Sequence, residues 1–262
     1  MRQPLGERVR DSLKLRALDA KDRVSGRADR LVPPRRLDFG GHSDFVETGD
    51  EFLAYFVELG GLQPHHAVLD VGCGIGRMAR PLVGYLDAAG SYDGFDVNRE
   101  GVGWCRRRYA RHDNFRFRVA DLYNRRYNPR GAHAATEYRF PYDDDAFDFV
   151  IATSVLTHLL ESEADHYLAE IKRVMKPEGR ALVTFFLLND ESRALIRAGR
   201  SSLAFLDPDD HVSVLDADLP EEAVAYDERW VRERLPSAEI RWGSWCGRDE
   251  HTSFQDLVVA SA

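Results

Sequence analysis

Short apolar runs alternate with segments of helical spacing along most of this chain, and that alternation sets the expected architecture. Residues 67–71, 92–95, 115–119 and 147–152 read as strands, the first and last being apolar almost throughout, as strands covered on both faces are. Residues 77–86 and 99–111 carry helical periodicity between them. A further helix over 164–175 stops at Lys176-Pro177-Glu178-Gly179, and 180–188 follows as a strand. Toward the end, 221–235 reads as a helix, while 239–245 and 254–260 read as strands with no full helix between them. Such an order predicts a parallel sheet with helices on both faces, closed by two late strands.

Two stretches do not fit the alternation. Residues 122–139 and 201–220 are long for connections in a compact domain, and such insertions are expected to be lids or binding loops, here at the same end of the sheet. Pro33 and Pro34 make a break, because they lack backbone donors and push their predecessors out of helix. This break divides a basic extension, 1–36, from a body, 37–262.

Composition narrows the class. With 262 residues, 44% hydrophobic and 28 aromatic side chains, the chain can bury one sizeable core and is not disordered throughout. Its formal charge of -8 is uneven: the extension holds eleven basic and five acidic side chains, which leaves a strongly acidic body. That balance argues against a general nucleic-acid binder. Cys73, Cys105 and Cys246 show neither CxxC nor Cys/His metal spacing, so neither a disulfide framework nor a metal site is expected, and a reducing, cytoplasmic setting fits. No apolar run reaches 18 residues, and the first residues lack the apolar stretch of a signal peptide. Leu5, Val9, Leu13, Leu15 and Leu18 lie near helical spacing among arginines, a pattern suited to an anionic partner or surface, or to a solvated helix resting on the body.

The chemistry starts at Val68-Leu69-Asp70-Val71-Gly72-Cys73-Gly74-Ile75-Gly76-Arg77, a strand that runs into a glycine-rich turn and then a helix. Glycines at 72 and 74 let the backbone turn sharply and approach a ligand where a Cβ would intrude. A dinucleotide fingerprint would place its third glycine at 77, which is Arg. Asp70, just before the loop, would repel a pyrophosphate and attract a cation, so a ligand bearing an ammonium group is favoured.

The segment Asp70–Gly76 resembles motif I of the class I S-adenosylmethionine-dependent methyltransferases, and the likeness extends over roughly residues 40–260 in strand order. It implies a Rossmann-like, doubly wound, mostly parallel seven-stranded α/β sheet with an antiparallel last strand, and S-adenosyl-L-methionine as cofactor. In the family's pattern Asp70, Gly72, Cys73, Gly74 and Arg77 line the cofactor. Asp96, with Val97, ends the second strand where an acidic residue accepts both ribose hydroxyls. Asp121, with Leu122, matches the residue that accepts from the adenine amino group, and Thr153 opens the segment after the fourth strand. Each has a blander reading: Asp70 and Asp96 could serve as caps, Asp121 as a turn residue, Cys73 as packing and Arg77 as a solvated side chain.

Methyl transfer to a hydroxyl needs alignment and removal of a proton. His158, at the carboxyl end of the sheet, is the candidate base, with cofactor positioning as its alternative role. Asp143-Asp144-Asp145 reads as an exposed turn before the fourth strand. Tyr123, Tyr127, Tyr138 and Arg139 in the first insertion combine aromatic faces with donors suited to a small-molecule or saccharide acceptor. Residues 41–49 are where relatives place a cofactor-covering segment, with Phe45, Thr48 and Gly49 as candidates. O-methylation is the leading expectation. N-methylation, a cofactor-binding regulatory protein and a nicotinamide oxidoreductase stay open, the last disfavoured by Asp70 and Arg77. The acceptor and the oligomeric state are not legible.

Overall fold

Val68 points into one apolar layer while Leu69 and Val71 point into another, and this alternation places β1 (Ala67–Val71) in the middle of a covered sheet. The computed structural model describes residues 29–37, 44–125 and 128–262. The other parallel strands are β2 (Ser91–Asp96), β3 (Phe115–Val119), β4 (Phe147–Ala152) and β5 (Met175–Phe185). With β9 (Glu239–Arg241) and β10 (Asp256–Ser261), the sheet has seven strands in the order β3-β2-β1-β4-β5-β10-β9. β10 is antiparallel to both its neighbours. This is the expected Rossmann-like sheet with an antiparallel last strand.

The helices α1 (Phe45–Glu58), α2 (Ala79–Tyr85) and α3 (Arg99–Arg108) cover one face through Phe56, Leu82, Val102 and Cys105, which pack on Val68, Tyr92, Phe149 and Ile151. α4 (Glu161–Val174) covers the other face through Ala164, Leu168 and Ile171, which pack on Val150, Ala181 and Val183. Asp44 caps α1 by accepting from the Val46 and Glu47 N–H groups, so this helix begins inside the 41–49 segment and carries Phe45, Thr48 and Gly49. Residues 1–28, and with them the expected amphipathic helix, lie outside the described residues, as do 38–43. Of the extension, Leu31 and Val32 pack against the α1–α3 layer beside the buried Leu37, and Asp29 pairs with Arg80 at 3.4 Å.

The differences from expectation lie beyond β5. The strand expected over 180–188 is divided: after Phe185 the chain leaves the main sheet, and β6 (Leu187–Leu188) joins a second sheet of order β6-β8-β7. Its partners are β7 (Val212–Val214) and β8 (Val224–Asp227). Residues 221–235 are therefore not one helix. Val224, Ala225 and Tyr226 are wholly buried as the middle strand, which suits their small, β-branched and aromatic side chains; a 3-10 turn, Pro220–Glu222, precedes it and α6 (Glu228–Arg234) follows. α5 (Asp190–Arg197), which the sequence pattern above did not place, is capped by Asn189. The insertion at 201–220 thus belongs to a larger addition built on Phe186, Leu188, Phe205, Trp245 and Cys246.

Candidate active site

The turn after β1 is held open by backbone hydrogen bonds. Phe95 C=O accepts from Gly72 N–H at 2.9 Å and from Cys73 N–H at 3.0 Å, and Cys73 C=O accepts from Gly76 N–H at 2.9 Å. Gly72, Gly74 and Gly76 all have positive φ, at 74°, 53° and 79°. A Cβ on Gly72 would clash with Val155 Cγ2, whereas a Cβ on Gly74 would meet nothing within 4 Å among the described residues. Gly74 therefore presents bare backbone to open space.

Asp96 stands directly over this loop. Its Oδ2 accepts from Gly74 N–H at 2.8 Å and its Oδ1 from Asn98 N–H at 2.7 Å. Burial pushes its carboxyl up, while these backbone donors oppose the rise. Each oxygen has lone-pair capacity left for a further donor. Asp70, 1% exposed, accepts from Tyr92 Oη at 2.6 Å through Oδ2, while its Oδ1 has no hydrogen-bond partner among the described residues. Burial raises it to about 7, the Tyr92 hydrogen bond opposing and Asp96 adding to the rise.

The other expected contacts divide. Cys73 is a correction: its side chain is 5% exposed in the α1–α3 layer and its amide is already bonded, so it faces the core. Burial, with Asp96 and Asp70 close by, holds its thiol far above the usual range, which removes it as a nucleophile. Arg77 lies 5.8 Å over the Phe45 ring, at the start of α1. Val97 packs on the α4 layer, and Leu122 is 3% exposed within it, so the side chain expected at the cofactor is instead in the core. Asp121 is half-exposed. Its Oδ1 accepts from Arg99 Nη2 at 2.7 Å and Asn128 Nδ2 at 3.3 Å, and these donors lower its carboxyl. Its own C=O accepts from the Ala132 and His133 N–H groups, so it anchors the insertion.

At the acceptor side, Tyr123 is exposed at the carboxyl end of the sheet. Tyr127 lies outside the described residues. Tyr138 is a correction: its ring packs on Phe95 and Phe140, 6.0 and 6.3 Å between centroids, inside the α4 layer. Arg139 is another. It pairs with Asp144 at 3.1 Å and, with Arg118 and Tyr142, lines a groove of about 490 Å³ beside the turn before β4. Asp143, Asp144 and Asp145 are exposed, as expected of a turn, with Asp144 also held by Arg173 at 2.7 Å.

Thr153 is half-buried at the end of β4. The next residue, Ser154, has φ 54°; its N–H donates to Thr184 Oγ1 and its hydroxyl to Gln255 Oε1. His158 closes a 3-10 turn, Leu156–His158, and its Nδ1 lies 3.0 Å from Glu221 C=O. A carbonyl only accepts, so Nδ1 carries the proton and the ring's lone pair is on Nε2. The two insertions meet, Arg125 Nη1 donating to Asp218 C=O at 2.8 Å, and so share one end of the sheet. Sequence reasoning missed Tyr92, Glu221 and Gln255, whose partners are 22, 63 and 101 residues away.

Comparison with known proteins agrees with this geometry. The family described as a methyltransferase domain matches residues 69–183. Methyltransferase GfsG of Streptomyces halstedii is 30% identical over 139 residues, 53% of this chain and 44% of that protein. The chain spans less than half the length of the curated relatives it matches. Among solved structures, the PH0226 protein of Pyrococcus horikoshii has TM-score 0.57 at 18% identity, covering 88% of this chain and 96% of its own. The 1,6-didemethyltoxoflavin-N1-methyltransferase of Burkholderia thailandensis, solved with its acceptor and S-adenosylhomocysteine, has TM-score 0.50 at 16% identity, covering 100% and 92%.

Proposed function

We propose, from the premise that residues 69–183 are a methyltransferase domain of the class I S-adenosylmethionine-dependent family, that this chain methylates a hydroxyl of a small-molecule acceptor. The observation that carries the cofactor reading is the loop: bare backbone at Gly74, flanked by the carboxylates of Asp96 and Asp70, whose Oδ1 has no hydrogen-bond partner among the described residues. Asp96 offers acceptor capacity to the ribose hydroxyls, and Asp70 a negative charge to the amino-acid end. Bound there, S-adenosylmethionine supplies an electrophilic methyl group on a sulfonium.

The chain's own work is positioning and proton removal. The Glu221 carbonyl holds the His158 Nδ1–H, so Nε2 can accept the acceptor's hydroxyl proton. The insertions, joined through Arg125 and Asp218, roof the same end of the sheet and shield the transfer from water. His158→Ala is expected to lower turnover of a hydroxyl acceptor by about 10²–10⁴-fold, with S-adenosylhomocysteine affinity unchanged by calorimetry. Equal turnover in the variant would point to an acceptor that needs no base, such as a neutral amine.

The two loop glycines separate fold from binding. Gly72→Ala forces a Cβ into Val155 at positive φ and is expected to lower stability by roughly 1–3 kcal/mol. Gly74→Ala meets no atom of the described residues within 4 Å, so its cost in the free protein is the backbone term, about 1 kcal/mol. Its added methyl group occupies the open space, so S-adenosylhomocysteine should no longer shift its thermal unfolding. Equal shifts in Gly74→Ala and the unaltered chain would place the cofactor elsewhere.

A further inference from the structure

Among the described residues, the charge at the glycine loop is unbalanced. Asp70 and Asp96 both approach it from the α1–α3 side of the sheet, and the donors that reach them are the Tyr92 hydroxyl and backbone N–H groups. The titratable groups around Asp70 are Tyr92 and Asp96 on β2, Cys73 on the loop and Cys105 on α3; Ile151, its neighbour on β4, is apolar. None of these is cationic. The arginines that follow the loop are engaged elsewhere, Arg77 over Phe45 and Arg80 with Asp29 and Asp50.

A carboxylate that is 1% exposed, with one oxygen unpartnered and a second carboxylate nearby, is costly to keep ionised. An ammonium group on the loop would reverse that cost, because attraction between opposite charges is strong in a dry site. We propose that Asp70 and Tyr92 form a proton-linked counter-ion site: at mildly acidic pH Asp70 holds a proton in the ligand-free protein and releases it to solvent when a cationic ligand occupies the glycine loop. Tyr92 is the positioning residue. Its hydroxyl fixes Oδ2, and with it the direction of the carboxyl group, and favours the ionised form. The inference rests on the reading of the loop as the S-adenosylmethionine site.

The sign follows from linkage. Burial holds the free carboxyl at about 7, and the bound cation lowers it, so ligand affinity is full above that value and declines as pH falls through it. Isothermal titration of the whole chain with S-adenosylhomocysteine, in two buffers of very different ionisation enthalpy, reads the protons directly. Close to one proton should be released at pH 6 and almost none at pH 8.5, with affinity roughly eightfold weaker at pH 6 than at pH 7.5. Tyr92→Phe should move the midpoint of this profile to higher pH. Asp70→Asn should bind with a flat profile and no dependence on buffer.

The wild-type measurement stands even where a variant folds poorly. Tight binding that is flat from pH 6 to 8.5 and equal in both buffers overturns the proposal and leaves the cofactor assignment intact. Proton release that persists in Asp70→Asn belongs to Asp96 and overturns it as well. A folded chain that binds no S-adenosylhomocysteine at any pH overturns the cofactor reading, and this proposal with it.

Discussion

Affinity for S-adenosylhomocysteine is expected to fall by roughly 100- to 10,000-fold when Asp96 becomes alanine, the loss of two hydrogen bonds to a charged acceptor at about 1.5–3 kcal/mol each. Two separate losses add up in this variant. The ribose hydroxyls lose their acceptor, and the Gly74 and Asn98 N–H groups lose the oxygens that fix the loop and the start of α3. The second loss is felt without ligand, so the melting temperature of the free protein should drop by a few degrees. Asp96→Asn separates the two effects. Its single amide oxygen can keep one backbone donor, so the fold should recover more than the affinity does. Calorimetric titration beside thermal unfolding of both variants checks this. Affinity within tenfold of the unaltered chain in Asp96→Ala would remove Asp96 from the site and undo the motif assignment.

How far the fold could be read depended on whether a segment's partners were near in sequence. β1 and β4 are buried on both faces, and near-continuous apolar runs report that directly. The addition after β5 behaves otherwise. Val224–Asp227 is a strand because Leu187–Leu188 and Val212–Val214 flank it, and none of the three is long enough to show a pattern alone. Its sequence, followed by Glu228–Arg234, joins two short elements into what looks like one helical stretch. Packing on Trp245 and Phe205, far along the chain, decides between them.

At the candidate site, residue types were legible and their orientations were not. Asp70 and Asp96 stand where the loop pattern places them, because strand ends and tight turns are set locally. Tyr138 and Arg139 looked like acceptor contacts because the insertion is polar and aromatic. Their directions are fixed by Phe95, on a neighbouring strand, and by Asp144, in the turn before β4, which spacing cannot reveal. The lone pair of His158 likewise depends on a carbonyl 63 residues away.

Asp256→Ala is expected to destabilise the chain by about 3–5 kcal/mol, the cost of leaving a buried ion pair without one partner. Asp256 is completely buried and gathers four donors: Leu187 N–H at 2.8 Å, Gly243 N–H at 2.7 Å, Trp245 Nε1 at 2.7 Å and Arg248 Nη1 at 3.0 Å. Arg248, with its side chain 2% exposed, also binds Glu191 on α5 and lies 4.8 Å over the Trp242 ring. One carboxylate thus ties the top of β10 to β6 and to the β9–β10 connection, and alanine would strand all four donors. Burial nevertheless raises Asp256 from 3.8 to about 6. Its folded value lies above the unfolded one, so the stability that comes from binding its proton is full at low pH and is lost as pH rises through about 6, while the four hydrogen bonds are its separate contribution. Replacing both partners by apolar residues, Asp256→Leu with Arg248→Met, should therefore recover part of the loss, whereas either change alone should not. Denaturant unfolding of the four proteins gives the cycle, and single variants within 1 kcal/mol of the unaltered chain would sink it. The consequence for turnover is specific. The small sheet that Asp256 anchors leads through β8 to Glu221, which holds His158, while the glycine loop lies on the other side of β4. A folded Asp256→Asn should therefore lose turnover before it loses S-adenosylhomocysteine affinity.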